Sequence, residues 1–323
     1  MSKWQFSLGV HDLGRGIYAY LQPDGSWGWN NAGLIVDGEA SMLVDTLFDE
    51  KLTAVMLKEL RDAVGRKGRE IDYLVNTHAN GDHTYGNRLV EGAEIIASKA
   101  AAEEMDEVPP AMLAAMVRMA PNLGELGEYV KHCFGAFDFE GIVLPPVNRT
   151  FEGELEITVG DTCVELIEVG PAHTRGDVLV HVPNQGVVFT GDILFIEGTP
   201  IIWAGPVRNW IEACERIEAM DVDTIVPGHG PMTDKRGVRA VREYLAFIDS
   251  EARIRFDAGL SACEAAKDIA LGEYANWGDA ERLAVNVHSL YREYDPSLPT
   301  PDVMALFNEM SVLWRRDRSS RSS

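Results

Sequence analysis

The twelve residues NTHANGDHTYGN, Asn76 to Asn87, place His78, Asp82 and His83 within six positions. Three more residues of the same chemical kinds follow: His173 in PAHTRGD, Asp192 in FTGDILF and His229 in PGHG. Each stands where an apolar, strand-like run gives way to a turn. Strand ends hold side chains rigidly, and the neighbouring Gly and Pro residues admit sharp turns. Neutral imidazole nitrogens and carboxylate oxygens are ligands for Zn²⁺ and related divalent ions. One such histidine alone would be a packed or hydrogen-bonded residue. His78, His83, His173, Asp192 and His229 in this order, with Asp82 among them, point instead to a metal centre. A divalent ion lowers the pKa of bound water from about 15.7 to about 7 and so supplies a nucleophile at neutral pH. No GxSxG elbow is present and no cysteine has a suitable setting, so a covalent nucleophile is not expected.

The elements that must position these residues alternate between strand and helix. AGLIVDG (Ala32 to Gly38) and SMLVDTLF (Ser41 to Phe48) read as strands joined by a tight turn at Gly38-Glu39. A helical pattern over Lys51 to Val64 follows, then a strand over Ile71 to His78 and another at EIIAS, Glu94 to Ser98. Strands resume at ITVG, CVELIEVG, DVLVHVP and Gly186 to Phe195, followed by a helix over Asn209 to Ala219 and the strand TIVPGHG. The second half thus repeats the order of the first, though not its sequence. From about Asp234 to Trp314 the pattern is helical, with Ser261 and Glu264 spaced as a capping box.

Between these halves, Lys99 to Gly141 has a helical, Met-rich character. Met112, Met116 and Met119 share one helical face. That face is either core packing, a subunit contact in a homo-oligomer, or an adaptable apolar lid over a substrate pocket.

The chain has 323 residues and a formal net charge of -22. A field of that sign repels phosphate backbones, so nucleic acid is not an expected partner. Cys133, Cys163, Cys214 and Cys263 are widely spaced, which suggests neither a disulfide framework nor a thiolate zinc site. The opening MSKWQFSLGVHDLG lacks the pattern of a secretory signal, and no apolar run reaches the roughly 20 residues that span a bilayer. A cytoplasmic protein without membrane partners is the expectation.

The series His78-x-Asn80-x-Asp82-His83, His173, Asp192, His229 resembles the metallo-β-lactamase superfamily over about Ala32 to Gly230. Members carry an HxHxDH signature, then a histidine, a bridging aspartate and a last histidine. GDILF and PGHGP are similar to the hydrolase branch, and the helical end resembles glyoxalase II-like and cyclase-like members. The resemblance implies an α/β fold, an αββα sandwich with a C-terminal helical extension and the metal site at one edge. Residues 1–235 would be the catalytic domain with its insertion at about 99–141, 236–314 the helical extension packed on it, and 315–323 a disordered tail.

By the same resemblance, one metal site falls on His78, Asn80 and His173, and the other on Asp82, His83 and His229, with Asp192 bridging. Asn80 stands where the family has a histidine. Its amide is a weaker ligand than imidazole, or a hydrogen-bond donor to substrate. One zinc ion is therefore expected to bind firmly and a second more weakly; another divalent metal would also suit. Asp82 would orient the nucleophile. Asp45 in MLVDTLF matches an aspartate that supports the site from behind; its alternative role is a turn cap.

For substrate, Trp27 and Trp29 in SWGWNNAG and Trp203 in IIWAGP stand in loops that border the family's site. They form either an aromatic pocket wall, with Met112 and Met116, or core cover. A small, fairly apolar molecule with an ester, thioester or lactone bond is the substrate expected of a metal-dependent hydrolase. A dehalogenase, a polyketide cyclase-like enzyme and a ligand-binding protein with degraded catalysis are the alternatives, since one fold hosts many chemistries.

Overall fold

The computed structural model describes residues 4–65 and 70–321. One sheet runs in sequence order through β1 (Gly9–Gly14), β2 (Ile17–Leu21), β3 (Ala32–Asp37), β4 (Ala40–Val44), β5 (Tyr73–Val75), β6 (Glu94–Ser98) and β7 (Arg149–Phe151). The second contains β8 (Glu154–Val159), β9 (Thr162–Glu168), β10 (Val178–Val182), β11 (Val187–Phe189) and β12 (Thr224–Val226), again in sequence order. Each sheet begins antiparallel and turns parallel, at β4–β5 in the first and at β11–β12 in the second.

The helices are α1 (Glu50–Ala63), α2 (Gly81–Thr84), α3 (Lys99–Glu104), α4 (Pro110–Met119), α5 (Gly124–Phe134), α6 (Val207–Ala219), α7 (Lys235–Asp257), α8 (Ala262–Asp268), α9 (Leu283–Tyr294) and α10 (Val303–Arg321).

Alternation along the strands assigns each side chain to a layer. On β4, Met42 and Val44 face the second sheet while Leu43 meets Met56, Leu57 and Leu60 of α1. On β10, Val178, Val180 and Val182 pack between the sheets. Leu179 on its other face joins Trp210 and Ile217 of α6 and Val241 and Leu245 of α7. The result is helix, sheet, sheet, helix: the expected αββα sandwich. Full burial of each such Leu or Met side chain is worth about 1.5–3 kcal/mol, so both helical layers are held mainly by these stripes.

The insertion and the C-terminal helices meet. Tyr129 of α5 lies against Phe307 and Trp314 of α10, and Phe134 against Phe307, with ring centroids 6.2, 5.6 and 5.7 Å apart. The buried side of α4 is Pro110, Leu113 and Ala114, offset from the methionine stripe. Met112 and Met119 are consequently 52% and 55% exposed, and Met116 is half-buried.

Several expectations are corrected. The strand that was to reach His78 ends at Val75, because the Thr77 amide donates to the Asp45 carboxylate instead of continuing a ladder. The run Gly186 to Phe195 keeps only three strand residues before a 3₁₀ turn at Gly191–Ile193. The hairpin of β1 and β2 had no clear apolar signal, since β1 carries His11 and Asp12. The tail expected to be disordered continues α10 to Arg321; Arg315 pairs with Glu125, and Arg316 donates to Lys267 O. Ser322 and Ser323 lie outside the described residues. The capping box at Ser261 and Glu264 is present, and all four cysteines are free thiols. Among the described residues, no helix is long and apolar enough to cross a membrane.

At Gly33 the two sheets approach closely: a Cβ there would lie 2.1 Å from the Phe189 ring. Gly33→Ala is expected to destabilise the fold by about 1–3 kcal/mol through overpacking. Urea unfolding reads this, and adding Phe189→Leu should recover part of the loss.

Candidate metal centre

β4, β5, β9, β11 and β12 deliver the site, because the loops after their C-terminal ends converge at one edge of the sandwich. After β4 comes Asp45, after β5 the stretch from Asn76 to Thr84, after β9 His173, after β11 Asp192, and after β12 His229. Asp82 and His83 ride on the single turn of α2. The last two loops approach so closely that a Cβ on Gly228 would sit 2.0 Å from Asp192 Oδ1, so only glycine fits there.

All four histidines turn Nε2 toward a common centre because each Nδ1 is engaged elsewhere. His83 Nδ1–H donates to Asp45 Oδ2 (2.8 Å), and His173 Nδ1–H to Ile201 O (2.7 Å). His229 Nδ1–H donates to Gly25 O (3.1 Å). Thr77 Oγ1 donates to Asp45 Oδ2 (2.7 Å) and accepts from His78 Nδ1–H (3.0 Å). This arrangement fixes the tautomer of each ring and leaves the Nε2 lone pair for a ligand. Asp45 thus organises two of the histidines from behind. It does so from a left-handed backbone conformation, φ 62°, that few non-glycine residues adopt.

The inward atoms form two overlapping groups. His78, His83 and Asp192 offer one set of donors within 4.8 Å of each other, and Asp82, His83 and His229 another. Asp192 stands between: Oδ1 is 3.1 Å from His83 Nε2, and Oδ2 is 3.3 Å from His173 Nε2 and 3.5 Å from His229 Nε2. Asp82 Oδ2 is 3.2 Å from His229 Nε2. His78 Nε2, His83 Nε2 and Asp192 Oδ1 are buried with no hydrogen-bond partner. Orphaned buried atoms of this kind are costly. A divalent cation would satisfy all three, so the residues fit one.

Asn80 differs in kind. Its Nδ2 lies 3.0 Å from His173 Nε2 and donates to it. The lone pair that a second ion would require is therefore already engaged. A half-turn of the amide would present Oδ1 instead.

The charges are tightly coupled. Burial lowers imidazole pKa values, yet Asp192, Asp45 and Asp82 together hold His83 well above the usual range. Burial also opposes protonation of His229, but Asp192 and Asp82 raise it to about 9. His78 stays far below, from burial and the neighbouring His83 charge. Although burial works against ionisation, His229, His83 and His78 keep Asp192 well below the usual carboxylate range. The buried carboxylates thus favour positive charge at the centre, from a proton or from a cation.

Other residues that hold the site were not singled out in the sequence. Asn76 Nδ2 donates to His83 O, Asn87 Nδ2 to Asn76 Oδ1, and Thr46 Oγ1 to Asn87 Oδ1, which laces the motif into a closed loop. Asn31 Nδ2 donates to Pro227 O and Gly230 O on either side of His229. The asparagines flanking the histidine motif were the available signal. Trp210 Nε1 donates to Ile193 O and so braces the Asp192 turn.

The tryptophans divide. Trp203 N donates to His173 O, which places this residue beside the cluster. Trp29 lies 4.9 Å from Phe137, in an aromatic group with Phe48, Tyr85 and Phe139. Trp27 is engaged structurally, with Nε1 donating to Glu281 and its ring against Phe134 and Phe307. His132 stacks on Trp314, and His181 pairs with Glu165.

The profile of the metallo-beta-lactamase superfamily matches residues 26–229. A hydroxyacylglutathione hydrolase of Brucella ovis is 25% identical over 198 residues, which is 60% of this chain and 60% of that protein. The same figures hold for its counterpart in Brucella abortus. The chain thus spans about 60% of the length of these curated relatives. Among solved structures, the inverting sec-alkylsulfatase Pisa1 of a Pseudomonas species aligns with a TM-score of 0.68 at 18% identity, covering 91% of this chain and 52% of that one. A metallo-beta-lactamase from Pontibacter korlensis aligns with a TM-score of 0.54 at 17% identity, covering 74% and 99%. At these identities the structural likeness speaks to the fold.

Asp192 and its neighbouring carboxylates raise the proton affinity of His83 and His229, so an entering ion competes with protons for their Nε2 atoms. Apparent zinc affinity should therefore rise with pH and level off above about 9. Calorimetry at pH 7 in buffers of different ionisation enthalpy should show proton release on zinc binding; no release would contradict the assignment. Asn80→His should raise zinc content toward two ions per chain by elemental analysis, because it supplies the missing imidazole and frees His173 Nε2.

Proposed function

The chain belongs to the metallo-beta-lactamase superfamily, and from that premise we propose that it is a zinc-dependent hydrolase of a small, fairly apolar organic substrate. The bond cleaved is an ester, thioester, lactone or similar link. The observation that carries this reading is the buried convergence of four Nε2 atoms with Asp82 and Asp192, three of whose polar atoms have no partner. The similarity to hydroxyacylglutathione hydrolases supports the thioester end of the range.

A bound divalent ion supplies acidified water and a Lewis acid for the substrate oxygen. Asp82, His83, His229 and Asp192 would hold it. Asp82 is the least buried of them, at 9% exposure. Its carboxylate is placed to take the proton as the water oxygen bonds to the acyl carbon. The bond to the alkoxide or thiolate then breaks with its electron pair, and Asp82 returns the proton to that leaving group. Acid and alcohol, or acid and thiol, are the products. Asn80 Nδ2 carries a second hydrogen beyond the one given to His173, available to the substrate oxygen. The Asn80–His173 bond favours a centre that works with one ion. Trp203 beside His173, and Trp29 with its aromatic neighbours, support an apolar substrate.

The test is a panel of aryl esters, acyl thioesters, lactones and alkyl sulfates with purified protein, with and without chelator. Turnover of at least one class should require zinc, and Asp82→Asn should lower it by about 10²–10⁴-fold. Turnover indifferent to chelator, or less than about a tenth of an ion per chain after zinc loading, would remove this reading.

A further inference from the structure

The loop Thr199–Val207 lies between His173 and the C-terminal helix α9, and α9 grips it along a single face. Arg282, at the cap of α9, donates from Nη1 to Thr199 O (2.9 Å). Asn286 accepts at Oδ1 from Ile202 N (2.8 Å) and donates from Nδ2 to Pro200 O (2.9 Å). Ser289 Oγ donates to Ile202 O (2.6 Å), and Glu293 Oε1 accepts from Val207 N (2.9 Å). Positions 282, 286, 289 and 293 advance by four, three and four residues, which keeps them on one side of a helix. On its other side the loop binds the His173 segment: Trp203 N and Ala204 N donate to His173 O, and Gly205 N to Ala172 O.

The centre of this arrangement is one peptide unit. Ile201 C=O and Ile202 N–H belong to the same planar group, and in a trans peptide they point in opposite directions. The N–H is held by Asn286 Oδ1, and the C=O accepts from His173 Nδ1–H at 2.7 Å. Asn286 is fully buried, and its amide also clamps the preceding carbonyl and reaches Tyr244 Oη at 3.3 Å.

We propose that Asn286 is a positioning residue for His173. By fixing the 201–202 peptide plane, it sets the tautomer that aims His173 Nε2 at Asp192 and Asn80. The C-terminal extension thereby sets the geometry of the third histidine from outside the metal-binding fold. The consequence for metal rests on the function proposed above; the placement of the ring does not.

The test uses the whole 323-residue chain, metal-free and labelled with ¹⁵N-histidine, with His173 assigned by His173→Gln. Two-bond ¹⁵N–¹H correlation should show the His173 Nδ1–H tautomer in the unmodified chain. Asn286→Leu should lower that population and move the His173 signals toward averaged values, with His83 and His229 unchanged. Ser289→Ala removes one outer bond of the same grip. It should shift His173 in the same direction by less, and it carries the test if Asn286→Leu does not fold. Unchanged His173 signals in the folded variants, or equal changes in all the rings, would overturn the proposal. Zinc titrated into the same chains reads the consequence: affinity at the site containing His173 should fall by about 10–100-fold. If no chain takes zinc, the metal reading fails, while the ring signature still decides the positioning role.

Discussion

Six polar side chains crowded into one buried corner lose their hydration, and their inward lone pairs repel one another unless something shares them. Every neighbouring feature is arranged to make that crowding tolerable. Asp45 gathers the Thr77 amide, the Thr77 hydroxyl and the His83 ring from behind. Backbone carbonyls of Gly25 and Ile201 take the Nδ1 protons of His229 and His173. Asp177, buried near His173, is bonded to the Thr174 amide and hydroxyl, and burial pushes its pKa up to about 8. The atoms left unmatched are those facing the centre, the pattern that a cation requires.

The αββα layering supplies the convergence. Parallel pairing of β4 with β5 and of β11 with β12 directs their following loops to one edge. The apolar stripes decide only that the sheets stack and that helices cover them. Direction and order of the strands then decide where the chemistry falls. This is why residues more than 140 positions apart, such as Asp82 and His229, stand 3.2 Å from one another.

Most of this was legible because ligand types recur at strand ends in a fixed order, and because Ala32 to Phe48 holds two short apolar runs joined by a turn. The long helix α7 and the Ser261 capping box were likewise plain. What escaped has physical reasons. β1 pairs as an outer strand with polar side chains, so its period is weak. The methionines of α4 share a face, but Leu113 and Ala114 beside them make the packing surface, and periodicity alone cannot tell two adjacent apolar stripes apart. Asn286, Ser289 and Glu293 were invisible because polar residues in a helix read as solvated until the partner loop is known. The arginine-rich end gave a compositional sign of disorder, yet its cations find Glu125 and a helix-end carbonyl.

The backbone at residue 80 carries structure that its side chain does not. The carbonyl of Asn80 accepts from His83 N and from Thr84 Oγ1, which closes the turn of α2. The side chain reaches only across the centre to His173. These two bonds of the turn do not depend on which side chain stands at position 80. A change of side chain at this one position can therefore alter how the centre is filled while the turn of α2 keeps its backbone bonds.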